Sequence, residues 1–172
     1  MSSLKPAFGR SSSSLSCSHD EKLARKNIED LARIIASEAS NSNETAQLMV
    51  GWTVINRMKR RHLKSVSTVW QHGNYAHNQS GTAMSRRIAA SLLSGQAPDI
   101  SQGATLFYSP ISMPKEKETD LSKYDTQRGL ETVDGVSKNG KPIRNYVPSW
   151  AYPARRIFTP GIPEYKFKFY KE

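Results

Sequence analysis

Cysteine is almost missing from this chain: one residue, Cys17, stands in a Ser-rich stretch, so no intrachain disulfide and no cysteine-based metal site can form. Histidine is scarce as well. Of His19, His62, His72 and His77, the last two flank Gly73 at a separation of five, which is loop spacing and not the i, i+4 pair of a helical zinc site. No apolar run approaches the ~18 residues needed to cross a bilayer, which excludes a membrane-spanning helix. No internal repeat is present, so a repeat array is excluded too. Acidic residues number 15 against 25 basic ones, a formal net charge of +10. That balance predicts attraction to a polyanion: nucleic acid, an anionic membrane surface or an acidic cell-wall polymer. The segment 1–18, with Ser11 to Ser14 at its centre, lacks the continuous apolar core of a secretory signal. It reads as a flexible Ser-rich N-terminal arm, and it predicts that any export uses another route. The rest, 19–172, has the length of one domain.

What is present begins with a helical stripe. Ile28, Leu31, Ile34 and Ile35 recur at three-and-four spacing, the pattern of a helix with one buried face. The next position on that face is Glu38. A carboxyl at the rim of an apolar face loses hydration, which disfavours its charged form and suits it to general acid chemistry near neutral pH. The alternative is that the helix frays near Ala36 and Glu38 is simply solvated.

Asp20 and Glu21 suit the first turn of this helix, which is expected to end near Ala39. Asn43 or Ser42 then caps a second helix from Glu44 to about His62, with Leu48, Trp52, Ile55 and Met58 on its apolar face. The cluster Arg57, Lys59, Arg60, Arg61 and Lys64 near its end places cations favourably at a helix C-terminus. The stretch Val69 to Asn78 mixes aromatics, amides and glycine and is expected to be a loop. Rings stack on sugar faces and amides bond hydroxyls, so it suits carbohydrate; it equally suits a surface loop tacked to the core by Trp70. A third helix is expected from Thr82 to Ser94 with Gly95 as its stop, then a strand at 104–109 closed by Pro110. Residues 111–145 are charged and turn-rich, with turns expected at Asp134-Gly135 and Asn139-Gly140. At the C-terminus, 155–158 and 165–171 alternate as a hairpin. The fold class that follows is α+β, predominantly helical, with a small β-hairpin region.

Glu38 closing one helix, Gln47, Val54, Asn56 and Arg57 along the next, and then Gly103-Ala104-Thr105-Leu106-Phe107-Tyr108-Ser109-Pro110 form an ordered set. It resembles the SleB-type cell-wall hydrolases over roughly 24–110, and more loosely Trp150 to Phe169. The resemblance implies a lysozyme-like glycosidase domain occupying 19–172, with 111–145 as an insertion. It implies cleavage of the β-1,4 glycan backbone of peptidoglycan, as an N-acetylglucosaminidase or muramidase, with Glu38 as the catalytic acid and neither cofactor nor metal. Where the family often carries a second acid, seven positions on, this chain has Thr45, with Glu44 beside it. Glu44 is therefore the candidate second carboxylate, although a first-turn helix acid is its more ordinary role. Without a second carboxylate, the sugar's acetamide assists, or the muramic 6-hydroxyl closes an anhydro ring as in lytic transglycosylases. Candidate substrate contacts are Tyr75, Tyr108, Trp150, Gln71 and Asn78; the aromatics among them serve as well in a core.

A small basic domain of this kind is also similar to the peptidoglycan glycoside hydrolase effectors of type VI secretion. That likeness implies peptidoglycan glycan strands as the partner, action in the periplasm of a target bacterium without a signal peptide, and a cognate immunity protein that occludes the site. It implies neither nucleic-acid binding nor membrane insertion. The contrasting expectation is a nucleic-acid-binding module, with the Arg57 to Lys64 cluster on phosphates and Tyr165, Phe167 or Tyr170 stacked on bases; no recognition motif accompanies it.

Overall fold

The computed structural model describes residues 18–172 except 116, 119, 123 and 125. The expected arm over 1–18 therefore lies outside the described residues, apart from Ser18. That residue closes a capping box with Glu21 at the start of α1 (His19–Ala39), each side chain bonding the other's backbone N–H. Asn43 caps α2 (Glu44–Arg60) through Ala46 N, and Thr82 caps α4 (Ala83–Leu93) through Ser85 N. Gly95, at φ +75°, follows the end of α4 in the left-handed conformation that glycine adopts without penalty.

One correction concerns the expected loop at 69–78. All of its first half is helix: α3 runs Val66–Gly73, capped by Ser65 and closed by Asn74 at φ 54°. Val66 and Val69, spaced by three, are its buried residues, and eight residues are too few for periodicity to stand out against the aromatic and glycine content.

The α1, α2 and α4 helices converge on a common core. Leu31, Ile34 and Ile35 from α1, Met49, Val50 and Val54 from α2, and Ala89 from α4 have no exposed surface. Burying each large aliphatic side chain contributes about 1.5–3 kcal/mol. The approach is close at Gly51, where an added Cβ would stand 2.4 Å from Leu92 Cδ1 and 3.1 Å from Ile35 Cδ1. No helix among the described residues is long and apolar enough to cross a membrane.

Among the described residues, five strands complete an α+β chain. β1 (Leu106–Tyr108) and β4 (Arg156–Ile157) both pair antiparallel with β5 (Lys168–Tyr170), so the expected C-terminal hairpin is two strands of a three-stranded sheet ordered β1-β5-β4. Within 111–145 the chain forms a separate hairpin, β2 (Leu130–Lys138) with β3 (Lys141–Tyr146). Asn139 and Gly140, at φ 53° and 73°, make the connection between them, both residues in the left-handed region that a two-residue hairpin turn of the primed kind requires. Asp134-Gly135 is not a turn, contrary to expectation. It lies inside β2 where the register shifts between Thr132 and Ser137, with Gly135 at φ 71°; a left-handed glycine serves a bulge as readily as a turn. The hairpin is tied to the rest by buried Asn145, whose amide donates to Pro110 O at 2.8 Å. Tyr108, Val147, Ala151 and Tyr170 make a second, smaller core.

Candidate active site

The α1 helix does not fray at Ala36; it continues through Glu38 to Ala39. Glu38 is therefore held by the helix at the end of the Leu31, Ile34, Ile35 stripe and is half-buried there. Its Oε1 accepts the Ala76 N–H at 2.6 Å. Burial raises its pKa above the ordinary carboxyl value of 4.5, and the Ala76 bond offsets this only in part. The raised value follows from desolvation of the charged form.

The backbone that supplies the Ala76 N–H is fastened to α1 at several points. Arg33 donates to His77 O at 2.8 Å, and Gln79 N donates to Ser37 Oγ at 2.9 Å. The His77 ring stacks on Trp70 with centroids 4.5 Å apart, and Arg33 lies over the Trp70 ring at 5.6 Å, a cation–π contact. Trp70 thus serves as the tack that fixes this loop.

Glu38 opens into a cleft of about 430 Å³. Gly73, Asn74 and Tyr75 line one part of it, Phe107, Tyr108 and Ser109 another, and Arg57 and Phe167 also face it. Two consecutive residues of α2 position the lining segments. Asn56 donates its amide to Ser101 Oγ at 2.9 Å and to Ala104 O at 2.8 Å, which fixes the turn entering β1. Arg57 donates Nη1 to Gly73 O at 3.0 Å, and its guanidinium lies over the Tyr75 ring at 5.0 Å. A Cβ on Gly73 would stand 2.8 Å from Tyr75 and 2.9 Å from Arg57 Nη1, so only glycine permits this contact. The residues Asn56, Arg57 and Gly103-Ala104 that carried the family resemblance thus shape the cleft, and Glu38 faces into it.

Tyr75 lies in the cleft lining, yet is only 6% exposed. Its hydroxyl is within 3.2 Å of Thr53 Oγ1, and burial raises its pKa above the usual phenol value despite the neighbouring Arg57. Tyr108 also lines the cleft, its ring stacked on Tyr170 and edge-on to Trp150. Burial pushes its pKa far above that of a free phenol, so both tyrosines offer rings and neutral hydroxyls, not labile protons.

The other four candidate residues are not brought to the cleft. Trp150 packs behind Tyr108 and against Tyr170, 5.7 Å between centroids, in the smaller core. Gln71 is exposed on α3, and Asn78 is exposed beyond the Ala76 contact. Glu44 occupies the first turn of α2 and pairs with Arg87 at 3.0 Å, lining a different cavity with Leu48 and Ile88. Its favourable place at the positive end of the helix dipole accounts for it. Among the described residues, Glu38 is the one carboxylate lining the cleft, and no group of three His, Cys, Asp or Glu is arranged to hold a metal ion. Arg57 stands in the sequence both in the motif that carries the resemblance and in the cation cluster at the helix end, but its role in lining the cleft is what sequence reasoning missed. Its partner is sixteen residues away, and no local pattern announces that contact.

Comparison with protein-family models, with curated proteins and with solved structures found no match.

Proposed function

We propose that this chain is a glycoside hydrolase of lysozyme-like architecture that cleaves the β-1,4 glycan backbone of peptidoglycan, with Glu38 as the general acid. The observation that carries the proposal is a carboxyl raised in pKa by burial, held on a rigid helix, and opening into a cleft lined by aromatic rings and hydroxyls. A protonated Glu38 donates to the glycosidic oxygen as the C–O bond breaks and positive charge develops at the sugar ring. The apolar rings exclude water from the acid, and Ser109 and Ser112 offer hydroxyl partners for sugar hydroxyls and acetamides.

With Glu38 the one described carboxylate in the cleft, the second catalytic group is assigned to the substrate. In hydrolysis the neighbouring acetamide oxygen bonds the anomeric carbon, and water then opens that ring while returning a proton to Glu38. A second outcome is favoured by the same observation: the muramic 6-hydroxyl attacks the anomeric carbon, gives its proton to the Glu38 carboxylate and leaves an anhydro sugar, which is lytic transglycosylation. The net positive charge supports attraction to walls whose stem peptides carry free carboxylates. We further propose that the protein acts as an antibacterial effector in the periplasm of a target cell and is held in check by an immunity protein over the cleft.

The test is mass spectrometry of soluble muropeptides released from purified sacculi by the wild type and by Glu38→Gln, with and without borohydride reduction. Products that reduce normally identify hydrolysis, and the sugar that is reduced distinguishes glucosaminidase from muramidase. Anhydro products, one water lighter and inert to borohydride, identify transglycosylation. The absence of any Glu38-dependent product overturns the proposal.

A further inference from the structure

Arg57 is unusual among this chain's many cations in being immobilised within the cleft. One guanidinium nitrogen, Nη1, is committed to Gly73 O, and the plane rests on Tyr75. Among the described residues, Nε is buried without a partner and Nη2 meets no hydrogen-bond acceptor. A buried, unpaired N–H costs stability unless something satisfies it. The edge formed by Nε and Nη2 is the one an arginine uses to hold a carboxylate through two parallel hydrogen bonds. Nη1 has given one of its two N–H groups to Gly73 O and the ring face is occupied, so the Nε–Nη2 edge is the pair of parallel donors left unused on this side chain among the described residues. The cation also leaves the acid intact, because burial and the Ala76 N–H, and not Arg57, set the Glu38 pKa.

We infer that Arg57 forms an anion subsite beside Glu38 that binds a carboxylate carried on the muramic sugar, so that the cleft prefers carboxylated glycan to plain N-acetylglucosamine polymer. This rests on the glycan-cleaving function proposed above and names its specificity. The carboxylate has two sources of the same chemistry: the lactyl group of a peptide-free muramic residue, or the free acids of a stem peptide.

The experiment measures binding by calorimetry to Glu38→Gln protein, which spares the ligands from cleavage. Three tetrasaccharides are compared: chitotetraose, the peptide-free alternating glucosamine–muramic form, and the same form bearing stem peptides. A two-point charged contact predicts that one carboxylated form binds about 30-fold tighter than chitotetraose. In Glu38→Gln/Arg57→Gln the preference collapses to about unity, and in Glu38→Gln/Arg57→Lys a few-fold preference survives, since lysine offers charge without the fork. Whichever carboxylated form shows the Arg57-dependent preference identifies the source. Equal affinity for all three ligands with Arg57 present overturns the inference, as does an equal loss for all three on substitution, which is the mark of a residue that only holds Gly73 and Tyr75. An Arg57-dependent preference in a protein that releases no muropeptides leaves the subsite standing and removes the catalytic proposal. No binding of any of the three removes both.

Discussion

The helical part of the molecule and the hairpin part are built on different principles. In the first, α1, α2 and α4 interlock fully buried aliphatic side chains, and Gly51 lets them close together. In the second, β2 and β3 pair with each other and are tied to the rest by polar contacts such as Asn145 to Pro110 O and Ile111 O, while Tyr108, Val147, Ala151 and Tyr170 form a separate small core with Trp150 packed against it. The acid belongs wholly to the first part, whereas Tyr108 belongs to the second core and yet lines the cleft. Under the proposed function, the chemistry is thus seated in the helical region, and part of the substrate surface is borrowed from the region with less buried in it.

The largest effect that bears on this division is on rate. Glu38→Gln keeps the shape and the Ala76 contact but cannot donate a proton, so sacculus cleavage should fall by about 10³-fold, roughly 4 kcal/mol in the barrier, while the circular dichroism spectrum stays the same. If instead a substitution confined to the hairpin core abolished cleavage as completely, the seat of the chemistry would have been misassigned.

Stability comes next. Leu31→Ala opens a cavity in the aliphatic core and should cost about 3–4 kcal/mol in denaturant unfolding. Trp150→Ala, at a half-buried ring on the edge of the smaller core, should cost about 2 kcal/mol or less and should show itself mainly as faster hydrogen exchange and proteolysis around that core. Equal global destabilisation by the two would mean that both parts unfold as one unit.

The response to pH is smaller and its sign is fixed. The folded chain binds the Glu38 proton more tightly than the unfolded chain, because burial holds its pKa above 4.5. Between the unfolded value and the raised folded one, this group's contribution to stability falls as pH rises, and below the unfolded value the cost is absent. Glu38→Gln should accordingly melt higher than the wild type at pH 7, with the gap closing by about pH 4. The alkaline limb of the wild-type activity profile should lie above 4.5 for the same reason.

The smallest effect is at Glu44. Its exposed pair with Arg87 predicts that Glu44→Gln changes stability by about 0.5 kcal/mol or less and leaves cleavage within about twofold of wild type, as expected for a first-turn helix acid outside the cleft. A loss comparable to that of Glu38→Gln would restore it as a second catalytic carboxylate.

What could be read in advance divides along the same line. The Leu31, Ile34, Ile35, Glu38 spacing located α1 and its acid, because helical periodicity writes burial directly into residue order. Asn43, Thr82 and Gly95 marked helix ends, because capping depends on residues three or four apart. β3's entry turn at Asn139-Gly140 was equally legible. Elements whose logic is long-range were not: α3 is too short to display its period, and Asp134-Gly135 looks the same whether it turns a chain or bulges a strand. Within the site, Arg57 stood in a recognised motif but its contacts with Gly73 and Tyr75 were not legible, and Trp150 stood among the candidate sugar contacts, because an aromatic ring's partner is decided by tertiary packing. Tyr75 and Tyr108 do line the cleft, but which of their atoms face it depends on Thr53, Tyr170 and Arg57, all distant in sequence.

Asn56 and Arg57 are neighbours on one turn of α2, and they hold the two segments that line the cleft, Ala104 into β1 on one hand and Gly73 with Tyr75 on the other. The spacing between those segments is consequently set by a single helical turn acting as a gauge block, with no hinge between them. Under the proposed function, a glycan strand meets a spacing set in advance, since widening it means breaking the Asn56 and Arg57 side-chain bonds to Ala104 O and Gly73 O.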